Sequence, residues 1–277
     1  MNELGIERLG TFGMNPVSLA QLAADLGVPC IGIGLSPTPG YNPDRHAAWS
    51  LRDDPALRRE LLAARDGMGV RVSIVEGFWV AADNDLRDFS GDLDIVSDLG
   101  CDRINVVSIG QGIDRTVEGF RQLCEVARER DILVCAEMGS LGPIPRVEPA
   151  LQVLHAVDQP NFRLLIDTMH FFRLGNSLAD FAALDPATIG YVQLADAPGQ
   201  DRFDTYMEEA MYERMVPGEG DLPLADLLPL VPDGVVVSIE VPLRSWAERG
   251  LGVRERTEPC VVAARKLLEA AAAAPGG

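Results

Sequence analysis

RLLIDTMHFFRLGNSLADFAALDPATIGYVQLADA, residues 163–197, reads as strand, helix, strand. Two near-continuous apolar runs, RLLIDTMHF and IGYVQLADA, flank a helical pattern at 177–184. Continuous apolar character marks a strand buried on both faces, as parallel strands covered by helices are. The same unit recurs on both sides. The runs GTFGM (10–14), CIGIGLS (30–36), RVSIVEGF (71–78), RINVVSIG (103–110) and LVCAEMGS (133–140) precede it, and VVVSIEVP (235–242) follows, which makes eight. Helical patterns lie at 15–27, 54–68, 84–99, 114–130, 147–157, 177–184, 222–231 and 254–273. Asn15 before Pro16 and Asp54 before Pro55 mark two helix starts, and Gly27 marks a stop.

Strand–helix alternation repeated eight times within one domain length predicts an α/β fold, the (β/α)₈ TIM barrel. Residues 1–277 are expected to form a single domain, with 254–277 as a terminal helix and a fraying tail that ends in PGG. An open doubly wound sheet would carry a glycine-rich GxGxxG first turn, and GTFGMN does not match it. The longest connection, 198–221, follows the seventh strand, where barrel loops cover active sites.

The bulk composition narrows the function. The chain is 47% hydrophobic and 24% charged with a net charge of −18. So acidic a surface repels phosphate backbones and anionic lipids, which argues against nucleic-acid and membrane partners. The N-terminus lacks a basic segment followed by an apolar one, and no window is long and apolar enough for a membrane helix. The five cysteines include no CxxC pair, so a reduced, cytoplasmic setting is expected. No G-x-S-x-G elbow, P-loop, HExxH or Rossmann fingerprint occurs, which argues against a serine hydrolase, a nucleotide hydrolase and a nicotinamide-dependent reductase.

Functional side chains of a TIM barrel project from the C-terminal strand ends. The fifth run closes in Glu137, the sixth in Asp167 and His170, the seventh in Gln193 and Asp196, and the eighth in Glu240. The first half of the chain offers Glu76, Asn105 and Ser108. A single strand-end carboxylate can cap a helix or pair with an arginine. Several on neighbouring strands repel one another, and a bound cation stabilises such a cluster. Three carboxylates and an amide oxygen form a hard donor set that suits one divalent ion, Mn²⁺ or Mg²⁺ first, with Co²⁺ or Zn²⁺ also compatible.

The phrases CAEMGS, LLIDTMHFFRLGN, GYVQLADAP, VPGEGDLPL and VSIEVP resemble the xylose isomerase-like barrel superfamily. Within it they resemble the sugar phosphate isomerase/epimerase group, which includes ketose 3-epimerases, hydroxypyruvate isomerase, inosose isomerases and dehydratases, and one class of 3-dehydroshikimate dehydratase. The resemblance implies Glu137, Asp167, Gln193 and Glu240 as metal ligands, and His170 of the Asp-x-x-His motif as a substrate contact. Many epimerases carry His where this chain has Gln193; inosose dehydratase-like members carry Gln. The implied chemistry is an enediolate mechanism with Glu137 and Glu240 as acid and base on opposite faces of the substrate. An isomerase or epimerase of a sugar, cyclitol or keto-acid is expected first, a dehydratase second, and a barrel that binds without catalysis third. Arg202, Arg214, Glu76 and Glu219 are candidate substrate contacts, with Trp79 a candidate wall residue. The superfamily's DNA-cutting endonuclease needs many histidines, and this chain has three. Relatives often form dimers or tetramers, so a homo-oligomer is an expectation of the resemblance alone.

Overall fold

The computed structural model describes residues 2–200 and 202–273, so the expected fraying of the PGG tail lies outside the described residues. Eight parallel strands close into a barrel in chain order: β1 (Leu4–Glu7), β2 (Cys30–Gly34), β3 (Arg71–Val80), β4 (Arg103–Ser108), β5 (Leu133–Glu137), β6 (Phe162–Asp167), β7 (Ile189–Leu194) and β8 (Val237–Ile239). β1 closes the sheet on β8 with Gly5 opposite Ser238 and Ile6 opposite Ile239. The helices are α1 (Pro16–Asp25), α2 (Pro55–Met68), α3 (Ser90–Asp98), α4 (Ile113–Arg128), α5 (Val147–Val157), α6 (Thr168–Arg173), α7 (Leu178–Ala182), α8 (Tyr206–Tyr212), α9 (Leu224–Leu227), α10 (Arg244–Glu248) and α11 (Val253–Ala273). No helix among the described residues is long and apolar enough to cross a membrane.

The expected helix starts form as the capping chemistry requires. Asn15 accepts from the Ser18 N–H, and Asp54 from those of Ala56 and Leu57. The first strand differs from expectation. It is LGIE, buried along its whole length, and not GTFGM. Residues 8–11 make a 3₁₀ turn, and Phe12 and Gly13 follow at φ +49 and +99, a left-handed backbone that no strand adopts. The four-residue strand ends in a glutamate followed by an arginine, which hides its apolar character. The helix expected at 222–231 breaks into α9 and a 3₁₀ turn at Leu228–Leu230, because Pro229 cannot donate to a continuing helix.

Most of the core lies between the strands and the surrounding helices. A second cluster joins Cys30, Ile74, Cys135, Leu165, Tyr191 and Val236. These residues come from five strands and the approach to β8, and only the inside of a closed barrel brings them together. Glu7 enters the same interior, where its Oε1 accepts from the Tyr191 hydroxyl at 2.7 Å. Gly32 makes room for it: a Cβ there would lie 1.7 Å from Glu7 Oε2. Gly32→Ala is therefore expected to lower stability by about 1–3 kcal/mol through overpacking, read as a lower urea midpoint at unchanged m-value.

Candidate active site

One cavity of about 270 Å³ opens at the C-terminal strand ends. Its polar floor includes Glu76, Asn105, Glu137, His170, Arg214 and Glu240. Asp167 and Gln193 adjoin this floor and are fully buried. Each follows from its strand: the last residues of β5 and β6 are Glu137 and Asp167, Gln193 sits one residue before the end of β7, and Glu240 directly follows β8. Parallel register then aligns them, with Asp167 opposite Gln193.

Their contacts form one connected network. Arg214 Nη1 donates to Asp167 Oδ2 at 2.5 Å, and its Nη2 lies 3.0 Å from Glu240 Oε2. Gln193 Nε2 donates to Glu76 Oε1 at 3.0 Å and to Glu240 Oε1 at 3.2 Å. Arg8, which the sequence reading passed over, donates from Nε to Glu76 Oε2 at 2.6 Å. Asn105 donates to Glu137 Oε2 at 2.7 Å, and His170 Nε2 stands 3.3 Å from Glu137 Oε1. The His170 Nδ1 is hydrogen-bonded to the Tyr206 hydroxyl, so both ring nitrogens are engaged. Tyr206 is another residue missed in the sequence; nothing in a loop tyrosine signals that it will reach a histidine 36 residues away.

Burial raises Glu240 well above the ordinary carboxylate range; Arg214 opposes this, while Glu76, Asp167 and Glu137 add to it. Burial acts on Asp167 in the same direction, yet Arg214 and His170 outweigh it and hold that carboxyl low. The cluster is thus short of positive charge at Glu240. Gln193 Oε1 is buried without a hydrogen-bond partner. An orphaned amide oxygen beside crowded carboxylates suits a hard divalent cation, so the donor chemistry of Glu137, Asp167, Gln193 and Glu240 fits one. As the side chains stand, no three His, Cys, Asp or Glu residues among the described ones are grouped to hold a metal ion. The Arg214 guanidinium instead joins Asp167 to Glu240, and it has to yield for such an ion to be shared between them.

The two arginines of the long loop part company. Arg214 is buried, with its backbone N–H on Pro242 O and its Nε on Ala210 O. Arg202 is not among the cavity's lining residues: its Nε donates to Glu209 and its Nη2 to Glu213 O, tying the loop to itself. Glu219 is likewise exposed and outside the cavity, because its turn is held with the side chain toward solvent. That turn depends on Asp196, which accepts from the backbone N–H groups of Ala197, Gly218 and Leu222. Asp221 accepts from the Gly199 backbone N–H at 2.9 Å.

The model of the xylose isomerase-like TIM barrel family matches residues 18–258. This chain belongs to that family. A putative hydroxypyruvate isomerase of Xenopus laevis is 33% identical over 129 residues, 39% of this chain and 46% of that protein. A 3-dehydroshikimate dehydratase of Pseudomonas aeruginosa is 30% identical over 150 residues, 51% of this chain and 23% of that protein. Both matches thus span less than half of the relative's length. Among solved structures, that of the IolI protein with a bound zinc atom superposes with a TM-score of 0.77 at 17% identity, covering 96% of this chain and 98% of that one. At this identity the likeness establishes the shared barrel.

Two outcomes follow from the network. Arg214→Leu leaves Asp167 and Glu240 buried without their countercharge, and is expected to cost the metal-free protein about 3–5 kcal/mol in urea unfolding at pH 7. Glu7 is pushed up to about 8 by burial first and by the charge of Glu76 second. Between its ordinary 4.5 and about 8 the native state keeps a proton that the unfolded chain has lost. The contribution is full below the lower value and is lost as pH climbs to the upper one. Glu7→Gln should therefore gain stability relative to the parent as pH rises from 5 to 8, seen as a growing difference between their urea midpoints.

Proposed function

We propose that this family member is a divalent-metal-dependent isomerase or epimerase of a small sugar, cyclitol or related hydroxy-keto substrate. The observation that carries the reading is the pair of carboxylates, Glu137 on β5 and Glu240 after β8, lining one cavity with an orphaned amide oxygen between their strands. Glu137, Asp167, Gln193 and Glu240 would hold the ion, which when bound polarises a substrate carbonyl and acidifies the neighbouring C–H.

The protein's own groups supply the rest. Glu137 is oriented by Asn105 on one oxygen and faces His170 on the other, so it is set to take a proton from the carbon beside the carbonyl. Glu240 returns a proton from the other side of the cavity, to the same carbon in epimerisation or to its neighbour in isomerisation. Tyr206 holds the His170 ring so that its Nε2 edge stays beside Glu137. With Asp167 and Glu240 engaged by such an ion, the Arg214 guanidinium would be free to donate to a substrate oxygen. The cavity's polar floor pairs its cationic side chains with carboxylates, which favours an unphosphorylated substrate.

A dehydratase is the second reading. Gln193 supports it, together with the relative named for that activity. There the carbanion formed at Glu137 expels a β-hydroxyl, with Glu240 protonating the leaving oxygen.

The test combines elemental analysis with solvent deuterium uptake. The wild type is expected to hold near one equivalent of Mn, Mg, Co or Zn and to exchange the α-proton of hydroxypyruvate, a ketose or an inosose in deuterium oxide. Glu137→Gln/Glu240→Gln should lose the metal and slow exchange by about 10²–10⁴-fold. Loss of water from 3-dehydroshikimate or an inosose would select the dehydratase. A wild type without specific metal after incubation with Mn²⁺ removes the reading.

A further inference from the structure

The polar floor accounts for only part of the cavity. Its mouth is apolar and is built on three adjacent strands. Trp79 near the end of β3, Ile109 just after β4 and Leu141 in the loop after β5 all line it, with exposures of 41%, 40% and 44%. Isolated exposed apolar side chains are ordinary, but a contiguous set at the mouth of a site is not. The contiguity is built into the backbone: Ile109 N donates to Val80 O at 2.9 Å, and Gly110 N to Leu141 O at 3.0 Å. Gly142 allows the last approach, since a Cβ there would lie 2.4 Å from Ser108 O. Trp79 is held edge-on to Phe89 with ring centroids 5.2 Å apart. The long loop adds Met207 and Met211, spaced i, i+4 on α8 and both lining the cavity.

We propose that the substrate is an α-hydroxy-ketone carrying an apolar, ring-sized group, which lies against Trp79, Ile109 and Leu141 while the hydroxy-ketone head meets the floor. This rests on the hydroxy-ketone reading of the floor. A head seated between Glu137 and Glu240 directs the remainder of the molecule outward along the rim, because rim and floor line one cavity. A free triose or small sugar would leave the rim wet. A ring covers the indole face and the two branched side chains and removes their apolar surface from water, and the methionines, flexible and polarizable, adapt to its outline.

The experiment compares hydroxyacetone with 2-hydroxyacetophenone, which share the carbonyl–hydroxyl head and differ by methyl against phenyl. Binding to the Mn²⁺-incubated protein is measured by calorimetry. The phenyl compound is expected to bind at least about tenfold more tightly, an effect that needs only about 60 Å² more apolar surface removed from water. Trp79→Ala/Leu141→Ser should reduce that ratio to about two or less and leave hydroxyacetone unchanged; Leu141→Ser alone, at a largely exposed position, should lower it partway. Glu240→Gln should weaken both compounds and preserve the ratio. A wild-type ratio near one, with both compounds still dependent on Glu240, overturns this proposal and leaves the floor's reading intact. Binding of both compounds that ignores Glu240 removes the reading of the floor, and this proposal with it. A dimer in which Trp79 is shielded from acrylamide quenching before any ligand is added, judged against Trp79→Phe, gives the rim to a second copy of the chain and also overturns it.

Discussion

The chemical end of this barrel depends on one buried guanidinium. Asp167 and Glu240 are carboxylates from strand ends two places apart in the sheet, both almost without solvent. Two such charges cannot share a buried site unless something positive lies between them. Arg214 supplies it, hydrogen-bonded to Asp167 and ion-paired with Glu240. Its position rests in turn on the loop after β7, closed on itself by the Asp196–Met215 bridge and stitched to the segment after β8 by the Glu213–Leu243 bridge. Loop, countercharge and strand ends thus form a single mechanical unit joined through one arginine.

The cavity above that unit divides by chemistry. β5 to β8 and the loop after β7 contribute most of the titratable groups, and β3 to β5 contribute most of the apolar rim. Glu76 connects the halves, accepting from Arg8 after β1 and from Gln193 on β7. A ligand with one polar and one apolar end would have a single favourable placement in such a cavity. Below the floor, Glu7, Tyr191 and Ser73 make a buried polar contact inside the barrel, where Gly32 leaves room for the carboxylate.

What was legible in the chain follows from burial. A buried parallel strand must be apolar along its length, so a carboxylate or amide at its end stands out, and Glu137, Asp167, Gln193 and Glu240 could be read directly. Arg202 and Arg214 could not be told apart, since they lie in one loop with the same chemistry. Long-range backbone hydrogen bonds bury one and leave the other on Glu209. Asn105 looked like a minor strand-end residue until its amide was found on Glu137. β1 was misplaced because four residues ending in a buried glutamate carry too little apolar pattern to register.

By itself, then, the sequence determined the strand–helix repeat, the barrel that accommodates it, and the strand-end residues that face its open end. These are local matters of apolar continuity, capping and period. The tertiary structure decided which arginine serves as countercharge, which tyrosine holds His170, that Asp196 and Asp221 organise a loop instead of a reaction, and that three apolar side chains meet at the mouth. Each of those depends on segments far apart in the chain, whose meeting is set by barrel closure and loop hydrogen bonds and leaves no trace in neighbouring residues.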